Sequence, residues 1–215
     1  MISVFLHREL KILPTKKLIK IIQISIFSAI AAVLTFFEIP VFFVPNFYKL
    51  DFSDTVVLIS GFSVGPVAGV LTEFLKVLLK LLIKGSSTMG LGDFANFVVG
   101  ISLVIPSAIY YKKHRTFRGV CVAMILGIFC LVVTSAVTNY FIWLPGYEKL
   151  FSLSQDAIIS LGGAINPLIV DKFTFILFAV CPFNLFKGLL ICATTTVLYK
   201  KLSGVIDNLS DNFVK

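Results

Sequence analysis

Apolar runs long enough to cross a lipid bilayer dominate this chain. Leu18–Phe37, Leu91–Tyr111, Val120–Trp143 and a run from about Phe173 to Tyr199 are almost free of charge. A membrane-crossing helix needs roughly 20 such residues, and in lipid each backbone N–H and C=O must be bonded within its own segment. Composition agrees: 58% of residues are hydrophobic and 14% are charged, whereas soluble domains carry about 25% charge. The chain therefore reads as an all-α integral membrane protein. Its 215 residues form one transmembrane substrate-binding domain, with residues 1–17 as an N-terminal segment and 203–215 as a tail.

Two further segments complete a set of six spanning helices. Asp54–Gly65 is apolar but short and stops at Gly65-Pro66, and Val67–Ile83 follows it. Gly61, Gly65 and Gly69 recur every four residues, and Pro66 marks a turn there. The last span contains Pro182, which predicts a kink because proline lacks the N–H that a helix needs. Pro145–Asp171 is mixed, with a short surface helix expected near Gln155–Leu161. Ala29-Ile30-Ala31 resembles a signal-cleavage site, but the apolar run continues through Phe37, past the length of a signal core of about 7–15 residues. It reads as a retained first span.

Basic residues orient the chain. Arg8, Lys11, Lys16, Lys17, Lys20, Lys112, Lys113, Arg115, Arg118, Lys200, Lys201 and Lys215 fall on one side, twelve of the nineteen. Lys49, Lys84, Lys149 and Lys172 fall on the other. Positive charge favours the cytoplasm, so both termini are expected inside, and loops 38–53, 84–90 and 144–172 outside. The net charge of +8 thus belongs to a membrane surface and forms no basic stripe for nucleic acid. Cys121, Cys130, Cys181 and Cys192 form no C-x-x-C pair and lie in apolar runs. They are expected as buried free thiols.

Polar residues inside spans are costly and mark function. Asn139 lies near the outer end of the fifth span, Asp93 and Asn96 in the first turns of the fourth. Asn184 and Lys187 stand three apart in the sixth and share a helix face. Single asparagines commonly glue helices together, but three with a lysine predict a ligand pocket in the outer half of the bundle. An amide offers an acceptor and two donors side by side, which matches a flat imide edge. Lys187 offers donors to carbonyl or hydroxyl oxygens. Tyr48, Leu50 and Asp51, in the first outer loop, are expected to form a lid, and Ser53 or Asp54 to cap the second span. Glu73 and Lys76 are expected to pair, while Lys80 and Lys84 snorkel outward. Ser25, Ser28, Ala29 and Ala32 make a small-residue face on the first span, suited to close helix packing or to docking a partner.

The chain has no G-x-x-x-x-G-K-[ST] phosphate loop, H-E-x-x-H or G-x-S-x-G, and His7 and His114 pair with nothing obvious. No enzyme and no cofactor are expected.

FYKLDFSD, GFSVGPVAGVLTEFLKVLLKLLIKG, GLGDFANFVVG, TNYFIWLP, AINP and PFNLFKG, in this order, resemble the riboflavin-binding S component of energy-coupling factor (ECF) transporters. The resemblance runs from the first span to Leu202. It implies a six-helix subunit of the cell membrane that captures riboflavin from outside. It also implies three partners, a transmembrane coupling protein and two ATPases that drive uptake. Flavin contacts would fall on Asn139, Asn184 and Lys187, under the lid. The family docks through an alanine pair four apart. Here Ser25 and Ala29, or Ser28 and Ala32, would fill that place. Relatives often carry Glu at Asp93, which leaves Asp93 without an assigned role. Two other functions stay open from the residues alone: a stand-alone carrier coupled to an ion gradient through Glu73, the one acid read as well inside a span, or a membrane flavin-dependent redox subunit.

Overall fold

In this computed structural model, residues 15–86, 88–152 and 154–214 are described, with side chains from Lys17 to Lys201. The charges and ring at Arg8, Lys11, Lys215 and His7 lie outside the described residues. So does most of the N-terminal segment 1–17.

Helix α1 covers Thr15–Leu34, α2 Ser53–Ser63, α3 Pro66–Lys84, α4 Leu91–Lys113 and α5 Phe117–Thr138. A π-helical turn, Asn139–Trp143, joins α5 to α6, Leu144–Phe151. Helices α7, Gln155–Gly163, and α8, Lys172–Phe175, follow. A second π-helical turn, Ile176–Val180, leads into α9, Cys181–Val214. Between α1 and α2, strands β1 (Ile39–Pro40) and β2 (Lys49–Leu50) pair antiparallel, Ile39 opposite Leu50.

Among the described residues, four stretches of helix are long and apolar enough to cross a membrane: Lys17–Leu34, Leu91–Lys113, Phe117–Phe151 and Lys172–Lys201. Helix α2 has 11 residues, and α3 carries Glu73, Lys76, Lys80 and Lys84. The fifth run does not end at Trp143 as expected but stays helical through Phe151. The short helix expected near Gln155–Leu161 is α7. The expected tail, 203–215, continues α9 as helix to Val214.

Both π-turns stand one residue ahead of a proline, Pro145 and Pro182. In each the helix widens: Leu144 N–H bonds Asn139 O, and Cys181 N–H bonds Ile176 O. Such turns shift the ladder where a missing N–H would leave a carbonyl unbonded. The disturbance expected at Pro182 therefore takes the form of a π-turn just before it.

Residues on α1 such as Ile21, Ile22, Ile26 and Val33 point outward and are exposed. A bilayer, not water, is the solvent that makes such a surface favourable. Inside, one apolar cluster joins α2, α4, α5 and α9 through Val57, Leu103, Val120, Leu131 and Ile191. A second, toward the hairpin end, gathers Val44, Leu50, Leu144, Phe175, Val180 and Phe183.

Gly65 turns the chain between α2 and α3 at φ 120°, as the glycine and proline there predict. The glycine spacing also does more than make a turn. A Cβ on Gly69 would stand 3.1 Å from Gly61 Cα and 2.6 Å from Val104 Cγ1. Helices α2 and α3 thus touch backbone to backbone, against α4. The four cysteines are free, but only Cys192 is fully buried. Cys121, Cys130 and Cys181 lie at intermediate depth, since apolar residues here also face lipid.

Candidate functional site

A cavity of about 880 Å³ opens at the hairpin end of the bundle. Its wall includes Tyr48 and Asp51 from the hairpin loop, Asn96 on α4, Asn139 at the first π-turn, Tyr147 on α6 and Phe183 on α9. This volume falls in the range of small-molecule sites, about 300–1,000 Å³. Four of the expected residues, Tyr48, Asp51, Asn96 and Asn139, thus share one wall.

The hairpin folds over that cavity. Tyr48 stacks obliquely on Phe183, with ring centroids 4.9 Å apart, and on Phe47 at 4.8 Å. Its hydroxyl reaches Asn139 Oδ1 at 3.4 Å. Burial, and secondarily neighbouring Tyr147, push the Tyr48 phenol above its ordinary pKa, so it keeps its proton and remains a donor. Asp51 accepts from the Ser53 N–H at 2.8 Å and from the Ser53 hydroxyl. Leu50 does not line the cavity. It is buried in the apolar cluster and anchors the lid from below.

Asn139 and Asn184 are held in the same way. Each Nδ2 donates to the carbonyl four residues back, Ser135 O at 2.8 Å and Val180 O at 2.9 Å. That bond orients each amide and leaves its second N–H and its carbonyl oxygen for another partner. Asn184 and Lys187 are buried and lie next to and one turn beyond the cavity-lining Phe183, rather than on the cavity wall itself.

Lys187 is paired. Its Nζ lies 2.9 Å from Asp54 Oδ2, and Lys76 Nζ lies 2.5 Å from Asp54 Oδ1 and 2.6 Å from Glu73 Oε2. Asp54 therefore does not cap its helix. The cap position falls on Phe52 and makes no side-chain bond, because two buried ammoniums hold the Asp54 carboxylate instead. Buried charges must be paired in this way. Glu73 is thus not the one acid inside the bundle. The expected Glu73–Lys76 pair is present, and Gly100 makes space for it, since a Cβ there would meet the Glu73 carboxylate.

The lysines expected to snorkel are also paired. Glu38, just after α1, faces Lys84 at 2.9 Å, Lys49 at 3.1 Å and Lys80 at 3.5 Å, and Lys80 also faces Asp93 at 3.3 Å. Burial alone would raise the Glu38 carboxyl, but the Lys84 and Lys49 ammoniums outweigh it and hold Glu38 below its usual value. This cluster ties both ends of the hairpin to the end of α3. Glu38, Lys80, Asp93 and Tyr147 line the cavity and were not expected there. The i, i+4 spacing of Lys80 and Lys84 was visible in the sequence, but their shared partner lies more than forty residues earlier.

The small-residue face divides. Ser28 and Ala32 are buried inside the bundle and are not available to a partner, whereas Ser25 and Ala29 remain exposed.

The family of ECF transporter substrate-specific components matches residues 19–199. The riboflavin transporter RibU of Staphylococcus aureus (strain TCH60) is 34% identical over 200 residues, covering 93% of this chain and 97% of that protein. The riboflavin transporter FmnP of Bacillus subtilis (strain 168) is 29% identical over 195 residues, covering 89% and 95%. A solved S component of a bacterial ECF transporter superposes with a TM-score of 0.69 at 30% identity, over 88% of this chain and 98% of that one. With a family match across nearly the whole chain and a fold shared with a solved S component, this protein belongs to the substrate-specific components of ECF transporters.

Proposed function

We propose that this chain captures riboflavin from outside the cell and delivers it to an ATP-driven import complex. The observation that carries this reading is the aromatic and amide cavity under the hairpin. It is lined by Tyr48, Asn96, Asn139 and Phe183, in a chain 34% identical to a protein named a riboflavin transporter. The flavin ring system is flat and apolar with one imide edge. Stacking against Tyr48 and Phe183 would bury its faces, and Asn139 and Asn184 would read its carbonyls and N–H. Lys187 would donate to a ring carbonyl, and Asp51 and Leu50 would hold the lid closed.

In this reading the bundle crosses the membrane six times, with α2 and α3 counted as spans and both termini in the cytoplasm. The imbalance of basic residues supports that orientation. The partners are a transmembrane coupling protein and two ATPase subunits. Ser25 and Ala29 offer the coupling protein an exposed small-residue face.

Titration of purified protein with riboflavin, its phosphate and an unrelated vitamin tests the proposal. Saturable quenching of flavin fluorescence, absent with the unrelated vitamin, is expected. Protein that leaves added riboflavin fully fluorescent would remove the reading.

A further inference from the structure

The charges beneath the cavity form one linked set. Glu73, Lys76, Asp54 and Lys187 come from three helices, α2, α3 and α9, and are all nearly inaccessible to solvent. Two carboxylates and two ammoniums balance, so the set is formally neutral. Lys76 sits between Glu73 at 2.6 Å and Asp54 at 2.5 Å, and Asp54 spans the remaining distance to Lys187 at 2.9 Å. Lys76 thus touches two carboxylates and Lys187 touches one, with the Asp51 carboxylate near enough to act on both.

The two lysines also differ in how they are held. Lys76 donates a directed hydrogen bond to Asp54 Oδ1. The Lys187 ammonium meets the other oxygen of the same carboxylate, Asp54 Oδ2, at 2.9 Å. Among the described residues, Asp54 is the one carboxylate at ion-pair distance from Lys187, against two for Lys76. A buried ammonium carries three N–H donors, and leaving them unmade is costly. Asp54 Oδ2 can take one of the three, and the others stay open to a further acceptor.

We propose that Asp54 is a positioning residue for ligand binding: its ion pair fixes the Lys187 ammonium in place and leaves the remaining N–H donors available to a carbonyl of the ligand. Lys76 and Glu73 complete the arrangement. Lys76 binds the other oxygen of Asp54 and fixes the carboxylate plane, and Glu73 balances Lys76. The neutral set also matches a ligand whose recognised part is uncharged, because binding an anionic edge would leave a buried net charge. The proposal rests on the riboflavin reading, and within it on Lys187 reaching the ligand.

The test is a cycle of riboflavin affinities on the purified full-length protein: the natural chain, Asp54→Asn, Lys187→Met and the combination. Lys187→Met is expected to weaken binding about 10- to 100-fold, the value of a hydrogen bond from a charged donor. Asp54→Asn is expected to weaken it by a comparable factor in the natural background and by little in the Lys187→Met background. The absorption bands of bound flavin should shift in Asp54→Asn, because the donor at the ring carbonyl moves. A purely structural Asp54 would cost the same in both backgrounds and leave the bands in place, and that result overturns the proposal. Should Asp54→Asn alone not fold, Asp54→Asn with Lys76→Gln keeps the buried set neutral. It is expected to show the same loss, and natural affinity in that variant would overturn the proposal equally. Failure of the broader reading looks different: the natural chain would not bind riboflavin at all. If the natural chain binds and Lys187→Met binds equally well, Lys187 does not touch the ligand and the role of Asp54 falls with it.

Discussion

The Tyr48 hydroxyl donates to Asn139 Oδ1 at 3.4 Å, joining the hairpin loop to the π-turn 91 residues later in the chain. The bond is long for a hydroxyl donor, so it closes the lid weakly, and the same amide oxygen can turn to a ligand. Most of the hold on Tyr48 comes from its rings and burial. Tyr48→Phe is therefore expected to change riboflavin affinity by less than about 1 kcal/mol. Tyr48→Ala, which removes the ring, should speed ligand release by at least about tenfold through lost stacking and burial. Stopped-flow release of bound flavin separates the two.

Asn184 is expected to matter through its amide oxygen and free N–H, since one N–H is already bonded to Val180 O. Asn184→Ala should weaken riboflavin binding by about 1–3 kcal/mol, because a buried ligand group loses its partner. A fluorescence titration reads this directly, and unchanged affinity would remove Asn184 from the site.

The cluster around Glu38 sets an acid limit on the lid. Lys49, Lys80 and Lys84 face its carboxylate, and Asp93 shares Lys80. A carboxylate held below its ordinary value stabilises the folded state above that ordinary value, about 4.3 for glutamate. The contribution is lost as pH falls through the lower, folded value. Flavin release should therefore be flat from pH 8 to about pH 5 and accelerate only in more acid solution. Glu38→Gln should release flavin rapidly at neutral pH and show no acid step from this cluster.

Gly69 tests the crossing of α2 and α3. Its missing side chain leaves space that Gly61 Cα and Val104 fill. Gly69→Ala should destabilise the detergent-solubilised protein by about 1–3 kcal/mol, the usual cost of overpacking. Thermal unfolding, compared with Gly65→Ala at the neighbouring turn, reads the difference between crowding and backbone strain.

The exposed pair on α1 and the buried pair beside it should behave differently. Ser25→Leu and Ala29→Leu should leave riboflavin binding unchanged and prevent co-purification with the coupling protein and ATPases. Ser28→Leu, buried and bonded to Ile24 O at 2.7 Å, should instead lower the stability of the protein on its own.

By itself, the sequence determined the solvent, the elements and their family. Runs such as Leu91–Tyr111 leave a chain no stable state outside a bilayer, and PFNLFKG and KLDFSD fall in the order of a known family. That Asn139 and Asn96 face one cavity was legible because polar groups in apolar helices must converge on something, and that Tyr48 and Asp51 cover it was legible from the mixed aromatic and acidic loop. Tertiary structure alone decided the pairing of charges. Local rules gave Asp54 to a helix cap and Lys80 to the interface, since a single sequence displays neighbours at three and four residues but not partners 133 residues away. Closure of the bundle brings Glu38 to Lys84 at its rim and Asp54 to Lys187 in its interior, where burial makes an unpaired charge more costly than any lost cap. The same closure divided the small-residue face, because helical spacing states which residues share a stripe but not which edge of it the neighbouring helices cover.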